Sequence, residues 1–366
     1  MKAAILYKPN QPLKIEEIEI PQPAFREILV KIKSVGVCHT DLHPIKGDMP
    51  VPLPIILGHE GAGIVEEVGE GVTTVSPGDH VILFPAPACG HCISCLTGHP
   101  YACMVAGPLL FAGTMLDGTR RLKTPDGKEL NSFFLQSSFA EYAVAHESAA
   151  VKIEKDLPIE KMGVFSCGMS TGMGMVRNTA KVEPGTRVAI FGTGGVGLMA
   201  MWAAKLVPCS MIIAVSRKDR KLKMAKEFGA THVINTTKED PVKKIIELTG
   251  GGADYSFEAT DGNVEVMEQA YNSVHPGGMM VIAGGAPVGA KLCIEAWTLL
   301  SGKVIIGTAG GSSIPSVDIP KNIDLYKKGL LPLDKLITKT FSLDEINQAF
   351  EAMEKGEVAR GMIVMN

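Results

Sequence analysis

From about residue 187 onward, short apolar runs recur at intervals of roughly 20 to 30 residues: VAIFG, MIIAVS, THVIN, DYSFEA, GMMVIAG and KVIIGTA. An uninterrupted apolar run has no face to give to water, so each reads as a strand covered on both sides. Most of the intervals carry helical signals, as RKDRKLKMAKEFG does, with Gly229 where a helix stop is expected. Strands alternating with helices close up as a parallel sheet between two helical layers. Six such strands predict a complete doubly wound α/β domain.

Up to about residue 155 the rhythm is different. ILVKIKSVGV, AGIVEEVG, DHVILF and FAEYAVA are β-type runs broken by Gly and Pro, and PGD at 77–79 and DG at 117–118 and 126–127 supply turns. This predicts a compact, mostly antiparallel β domain with long loops. After residue 310 the pattern is mixed again. SLDEINQAFEAMEKG reads as an amphipathic helix opened by Ser342, with Glu345 at the spacing of a capping box. A chain of 366 residues is too long for one ordinary core, and 46% hydrophobic against 20% charged residues fits well-buried globular structure. We therefore expect a β domain from residues 1–168 plus 311–366 and a doubly wound domain from 169–310. A net charge of −3 offers no basic field to nucleic acid, and no apolar run reaches the length of a membrane span. The opening MKAAILYKPNQPLK is broken too soon by Pro and Lys to read as a signal peptide. A cytoplasmic protein is expected, and reducing cytosol argues against disulfides among the eight cysteines.

Three constellations carry chemistry. GTGGVG, with Gly192, Gly194, Gly195, Val196 and Gly197, follows the strand VAIF and opens a helix, the context in which such a motif binds a dinucleotide pyrophosphate. CGHCISCLTGHPYAC, spanning 89–103, places Cys89, Cys92, Cys95 and Cys103 at a spacing that can wrap one tetrahedral zinc; four unrelated buried thiols are the bland reading. A closed set of four sulfurs would make that site structural, leaving His91 and His99 as solvated loop residues. The third is diffuse: Cys38 in GVCHTDLH, His59 in LGHE and Cys167 in FSCGMSTG. Two sulfurs and a nitrogen suit a zinc with an open fourth position. Each residue alone also has a structural explanation, and spacing alone cannot assemble three residues so far apart.

GVCHTDLH, LGHEGAGIVEEVGEGVTTVSPGDHV, the four-cysteine lobe, CGMSTG, GTGGVG and the terminal helix followed by Arg360 stand in an order that resembles the zinc-containing alcohol dehydrogenases of the medium-chain dehydrogenase/reductase superfamily, over essentially the whole chain. The resemblance implies a GroES-like catalytic domain and a Rossmann-fold coenzyme domain. It implies that Cys38, His59 and Cys167 hold a catalytic zinc, with Glu60 as a transient ligand, and that Asp41 orients His59. Thr40 and His43 would form a proton relay from the alcohol to solvent. Thr171 would line the nicotinamide site, Arg360 would pair with the cofactor pyrophosphate, and His39 would lie on the phosphate side. Two Zn2+ per chain follow, one catalytic and one structural. The reaction implied is hydride transfer between a small-molecule alcohol or aldehyde and a nicotinamide cofactor.

Two features depart from familiar members. The strand MIIAVS ends on Ser216 followed by Arg217, where an acid usually binds the adenosine ribose. With Lys218, Arg220 and Lys221 following, this predicts a preference for NADP(H) over NAD(H) and service as an aldehyde reductase. Asp219, reaching back to the ribose, is the competing reading. Pro85 replaces a large aromatic of the substrate channel, so Leu109, Leu110 and Phe111 are candidates for its apolar wall. The segment GTMLDGTRRLKTPDGKELNSFF resembles a loop kept in dimeric members, so a homo-oligomer, dimer over tetramer, is expected. Two other functions compete with a simple alcohol dehydrogenase: a formaldehyde dehydrogenase acting on a thiol adduct of the S-hydroxymethyl-glutathione type, and a non-catalytic cofactor-binding scaffold. The scaffold would not need Cys38, His59, Cys167, Thr40 and His43 together.

Overall fold

The structure, a computed structural model, describes residues 1–365 and divides into two compact units, Met1–Cys167 with residues 314 onward, and Gly168–Ser313. In the second unit the six apolar runs form strands β1 (Arg187–Phe191), β2 (Met211–Ser216), β3 (His232–Asn235), β4 (Ala253–Glu258), β5 (Val274–Ile282) and β6 (Val304–Gly307). All pair in parallel, in the order β3-β2-β1-β4-β5-β6. Chain order reverses at β1, which lies between β2 and β4, the place where open α/β sheets hold ligands at their strand ends. Ala189, Phe191, Ile213, Val215, Ile234 and Met280 are buried in one core with Ile245, Met267, Ala270 and Tyr271 from the covering helices.

Local chemistry sets the helix boundaries. Helix Pro241–Thr249 begins at Asp240, whose carboxylate accepts from the N–H groups of Val242 and Lys243, and ends on Gly250 at φ 70°. Helix Val264–Asn272 begins at Asn263, whose side chain accepts from Val266 N–H. Helix Asp219–Glu227 is followed by Gly229 at φ 110°.

The first unit is built on two sheets, both mostly antiparallel. The larger runs Ala150–Ile153, His80–Leu83, Gly61–Val68, Glu27–Gly36, Arg360–Val364, Ile337–Phe341, with Tyr142–His146 also paired to Glu27–Gly36. The smaller joins Lys14–Glu17, Lys2–Leu6, Ile55–Ile56, Glu129–Ser132 and Leu122–Lys123, and the last two strands form a hairpin within the long loop. Strand Arg360–Val364, from the end of the chain, pairs antiparallel with Glu27–Gly36, which fixes Arg360 in the first unit. Ser342 and Glu345 form a reciprocal capping box, but it opens a single 3-10 turn before the helix Ile346–Glu354.

Candidate active site

Four side chains from three separate segments of the sequence meet in the first unit: one ligand atom each from Cys38, His59, Glu60 and Cys167 lies within 4.8 Å of the others. Cys38 ends the segment after strand Glu27–Gly36 and precedes helix His39–Lys46. His59 and Glu60 follow Gly58, whose left-handed backbone (φ 92°) packs so tightly that a Cβ there would lie 2.5 Å from Phe139 N. The Gly58 N–H donates to Asp41 Oδ1 at 2.9 Å. Ser166, next to Cys167, donates through Oγ to the carbonyls of Leu83 and His59 (2.5 and 3.2 Å), so Cys167 and His59 are tied together.

The site is dominated by buried charge. His59 Nδ1 donates to Asp41 Oδ1 at 3.0 Å, and both side chains are fully buried. That leaves the buried Nε2 of His59 without a hydrogen-bond partner among the described residues. Burial pulls the His59 imidazolium down, but the Asp41 and Cys38 charges outweigh it and hold His59 well above its usual range. Burial also raises Asp41, against the opposing charge of His59. The two thiols share one proton: the hydrogen bond from Cys167, helped by His59, holds Cys38 well below the thiol range, and Cys38 in turn pushes Cys167 well above it. A thiolate, a second thiol and an orphaned imidazole nitrogen are the donor set a zinc ion would take up.

Glu60 fills space that only a glycine leaves, since a Cβ on Gly36 would overlap its carboxylate. Its Oε1 accepts from the Arg360 guanidinium, and both groups are buried. Burial pushes Glu60 up to about 6 against the pull of Arg360. Burial would lower Arg360, but the Glu60 and Cys38 charges raise it. Arg360, which the resemblance assigns to the cofactor pyrophosphate, is thus committed to Glu60 here.

On helix His39–Lys46, Thr40 Oγ1 lies 3.6 Å from Cys38 Sγ, and His43 Nδ1 lies 2.9 Å from Asp48 Oδ1. His39 is exposed in the first turn of the same helix. The ring of Phe134 stacks on His59 with centroids 4.7 Å apart and 27° between planes, while Phe111 and Phe133 meet Phe134 edge-on. Phe134, Leu135 and Ser137 all have left-handed backbones (φ 50–54°), held by the Ser137 hydroxyl, which donates to Ile56 O and accepts from Phe133 N–H. Phe111 therefore stands beside the site, whereas Leu109 and Leu110 pack on a satellite cluster with Met115 and Leu135, and Pro85 is buried. Sequence reasoning missed Phe134 and Asp48: an FF doublet and an exposed Asp have no local pattern that aims them at a histidine.

The sulfurs of Cys89, Cys92, Cys95 and Cys103 also lie within 4.8 Å of one another. Backbone N–H groups of Cys92, Cys89 and Ala106 already point at the sulfurs of Cys89, Cys103 and Cys103 at 3.3–3.4 Å. Hydrogen bonds from the backbone of Cys95 and Met104 bring Cys92 down to about 6, while burial pushes Cys95 up to about 12. His91 and His99 are exposed and bonded within the loop.

In the second unit the glycine turn is shaped for close approach. Gly192 is left-handed (φ 106°), and a Cβ there would lie 2.4 Å from Ala259 O. A Cβ on Gly197 would lie 2.1 Å from Gly192 O, so the helix Gly195–Leu206 sits directly on the turn. Gly194 faces open space, and that helix begins without a side-chain cap. Its free N–H groups at the switch point suit an anion. The buried helix Gly168–Gly174, which carries Thr171, packs against this start: a Cβ on Gly172 would lie 2.4 Å from Val196 O. Ser216 accepts from Thr193 Oγ1 at 3.0 Å, Arg217 is exposed and Lys221 is half-buried.

Two family models match: the alcohol dehydrogenase GroES-like domain over residues 25–155 and the zinc-binding dehydrogenase domain over 195–328. An S-(hydroxymethyl)glutathione dehydrogenase from Paracoccus denitrificans is 41% identical over 372 residues, 99% of each chain. Benzyl alcohol dehydrogenase from Acinetobacter calcoaceticus superposes with a TM-score of 0.94 at 39% identity, covering 100% of this chain and 99% of that one. A putative zinc-binding dehydrogenase from Sinorhizobium meliloti, bound to NADP, gives a TM-score of 0.79 at 27% identity over 99% and 98% of the two chains. The chain belongs to the zinc-containing alcohol dehydrogenase family of the medium-chain dehydrogenase/reductase superfamily. It is a zinc-dependent oxidoreductase that uses a nicotinamide cofactor, and none of its helices among the described residues is long and apolar enough to cross a membrane.

Because Glu60 and Arg360 are buried as a pair, removing one partner strands the other charge. Arg360→Met is expected to lower unfolding free energy by about 3–5 kcal/mol, and adding Glu60→Gln to recover part of it. Urea unfolding checks this; a double variant as unstable as the sum of the two single variants would contradict it.

Proposed function

We propose that the chain interconverts a carbinol (an alcohol or the hydroxymethyl group of a thiol adduct) and its carbonyl product at a zinc held by Cys38, His59 and Cys167, with Glu60 as a transient ligand, and that Cys89, Cys92, Cys95 and Cys103 hold a second, structural zinc. The observation that carries this is the buried cluster of Cys38, Cys167 and His59, whose Nε2 has no hydrogen-bond partner among the described residues. Zinc supplies the Lewis acidity that lets an alcohol lose its proton near neutral pH, and the nicotinamide supplies the hydride acceptor. Asp41 fixes the His59 ring through Nδ1–H and so leaves Nε2 as the ligating atom. Thr40, beside Cys38, receives the alcohol proton first, and His43, one helical turn further on, passes it to solvent.

The substrate class supported best is a thiol adduct of formaldehyde, because the relative from Paracoccus denitrificans is named for S-(hydroxymethyl)glutathione at 41% identity over 99% of both chains. The second reading is an unconjugated aromatic alcohol. The partly buried Phe134, stacked on His59, and Phe111 beside it favour it, since offset and edge-on ring contacts suit an aryl group.

NADP(H) is the proposed cofactor over NAD(H). Asp219, the acid nearest in sequence to the end of β2, is engaged elsewhere, accepting from Asn235 Nδ2 at 2.6 Å and Lys238 Nζ at 2.8 Å. Burial and the neighbouring Lys218, Arg220 and Arg217 charges lower the Lys221 ammonium against the opposing pull of Asp261, so cations predominate in the segment that follows Ser216. A 2′-phosphate would offset their charge, whereas a bare ribose would not. A homodimer is supported by the free edge of the sheet. Val304 and Ile306 of β6 are exposed, as are Trp297 and Leu300 before it, and an apolar edge strand pairs readily with a second copy across a two-fold axis. A cytoplasmic location fits eight cysteines of which none forms a disulfide.

Four outcomes are expected. Metal analysis returns two zinc ions per chain: Cys38→Ser loses one and all activity while staying folded, and Cys103→Ser loses the other together with stability. With formaldehyde as substrate, glutathione raises kcat/KM at least tenfold (about 1.4 kcal/mol in transition-state binding); no response, with turnover of benzyl alcohol, selects the second reading. Wild type prefers NADP+ over NAD+, and Arg217→Ala selectively weakens NADP+ by about 10- to 100-fold, as loss of a charge-assisted contact implies; a wild type preferring NAD+ ends the proposal. Sedimentation gives twice the chain mass of 38.9 kDa rather than once or four times it.

A further inference from the structure

Helix His39–Lys46 ends on Gly47, whose left-handed backbone (φ 79°) turns the chain back over the last helical residues. Gly47 N–H donates to the carbonyls of His43 and Pro44 at 2.9 and 3.2 Å, and Asp48 N–H donates to His43 O at 3.2 Å. The turn is confined from outside, because a Cβ on residue 47 would lie 2.9 Å from Pro9 Cβ. With its backbone fixed in this way, Asp48 directs its carboxylate to the His43 ring, Oδ1 lying 2.9 Å from Nδ1. The His43 side chain is 14% exposed and that of Asp48 38%, so the pair stands at the edge of solvent.

We infer that Asp48 is a positioning residue for His43, holding the neutral imidazole as its Nδ1–H tautomer so that Nε2 is the nitrogen that accepts the proton. The inference rests on the relay proposed above. An ionised carboxylate only accepts hydrogen bonds, so the nitrogen facing it must carry the hydrogen. A free histidine in water prefers the opposite tautomer, with the hydrogen on Nε2, which could take up nothing further there. In the relay, a proton arriving from the Thr40 side forms an Nε2–H bond, and the imidazolium is paired with Asp48. That same Nε2–H bond then breaks as the proton passes to water. Nδ1–H stays intact throughout, so Asp48 touches neither substrate nor cofactor and acts only through His43.

The test uses full-length, zinc-loaded enzyme with 15N-labelled histidine, the His43 signals being assigned by their loss in His43→Gln. Wild type is expected to show His43 protonated on Nδ1, and Asp48→Ala to shift it to Nε2–H. Proton release in the first turnover, followed by a pH indicator in stopped flow, should slow about tenfold in Asp48→Ala, a lesser share of the ~100- to 10,000-fold that a positioned acid–base group supplies. The double variant should release protons no more slowly than His43→Gln alone. An unchanged tautomer and rate in Asp48→Ala, while His43→Gln is slow, would overturn the role of Asp48. Losses that multiply in the double variant would overturn it as well. Wild-type proton release by His43→Gln would overturn the relay itself.

Discussion

Charge buried without water is the constraint that the first unit is built to satisfy. Asp41, His59, Glu60, Arg360 and the Cys38 thiolate lie together with almost no solvent access. Each would cost several kcal/mol to bury alone, so none can be there without the others. Asp41 balances His59, Arg360 balances Glu60, and the two thiols share one proton. Space for this is made by backbone rather than by side chains: Gly36 yields to the Glu60 carboxylate, and Gly58 turns so that its own N–H reaches Asp41. The terminal strand Arg360–Val364 must pair with Glu27–Gly36 to deliver the guanidinium, which couples the end of the chain to the chemistry near its beginning.

The parts of this arrangement that were legible in the sequence are those with short-range causes. Alternation of apolar runs and helical signals implied a parallel sheet, because that pattern has no other way of hiding six strands. The glycine turn and the four-thiol lobe each lie within a few residues, so spacing alone states their geometry. The capping box at Ser342 was legible too, though not that it opens a 3-10 turn. Contacts that depend on how the β domain closes were not legible. Nothing local brings Phe134 over His59 or Glu60 to Arg360: the first follows from a distant loop folding back, the second from a terminal strand that pairs some 300 residues away. The grouping of Cys38, His59 and Cys167 came from resemblance, since their spacing says nothing about proximity.

The strand end at Ser216 shows a different limit. Absence of an acid there was visible at once, but what Asp219 does instead was not. In the structure Asp219 is the first residue of its helix, where a carboxylate also favours the dipole, and it is held by Asn235 and Lys238 from the neighbouring strand and loop. A side chain with two partners and a helix end to serve has little reason to reach towards a ribose. The basic residues around it keep one net sign at the strand end, which is a statement about ligand charge rather than about fold.

The two thiol clusters place opposite demands on the chain, and their surroundings explain why. Around Cys38 and Cys167 the fold is already cohesive: strands, a packed aromatic group and paired charges hold the two thiols in place. The lobe at Cys89–Cys103 has no such support. Its one-turn helix Ile93–Leu96 buries no residue, Ile93 and Leu96 are 64% and 70% exposed, and Cys103 is the only one of the four thiols to be fully covered. Too little apolar surface is hidden there to offset the entropy of ordering a loop of this length. Backbone N–H groups nonetheless aim at the sulfurs of Cys89 and Cys103 and favour negative charge there. The structural zinc proposed for this lobe would supply, through bonds to the four converging sulfurs, the cohesion that apolar packing gives elsewhere.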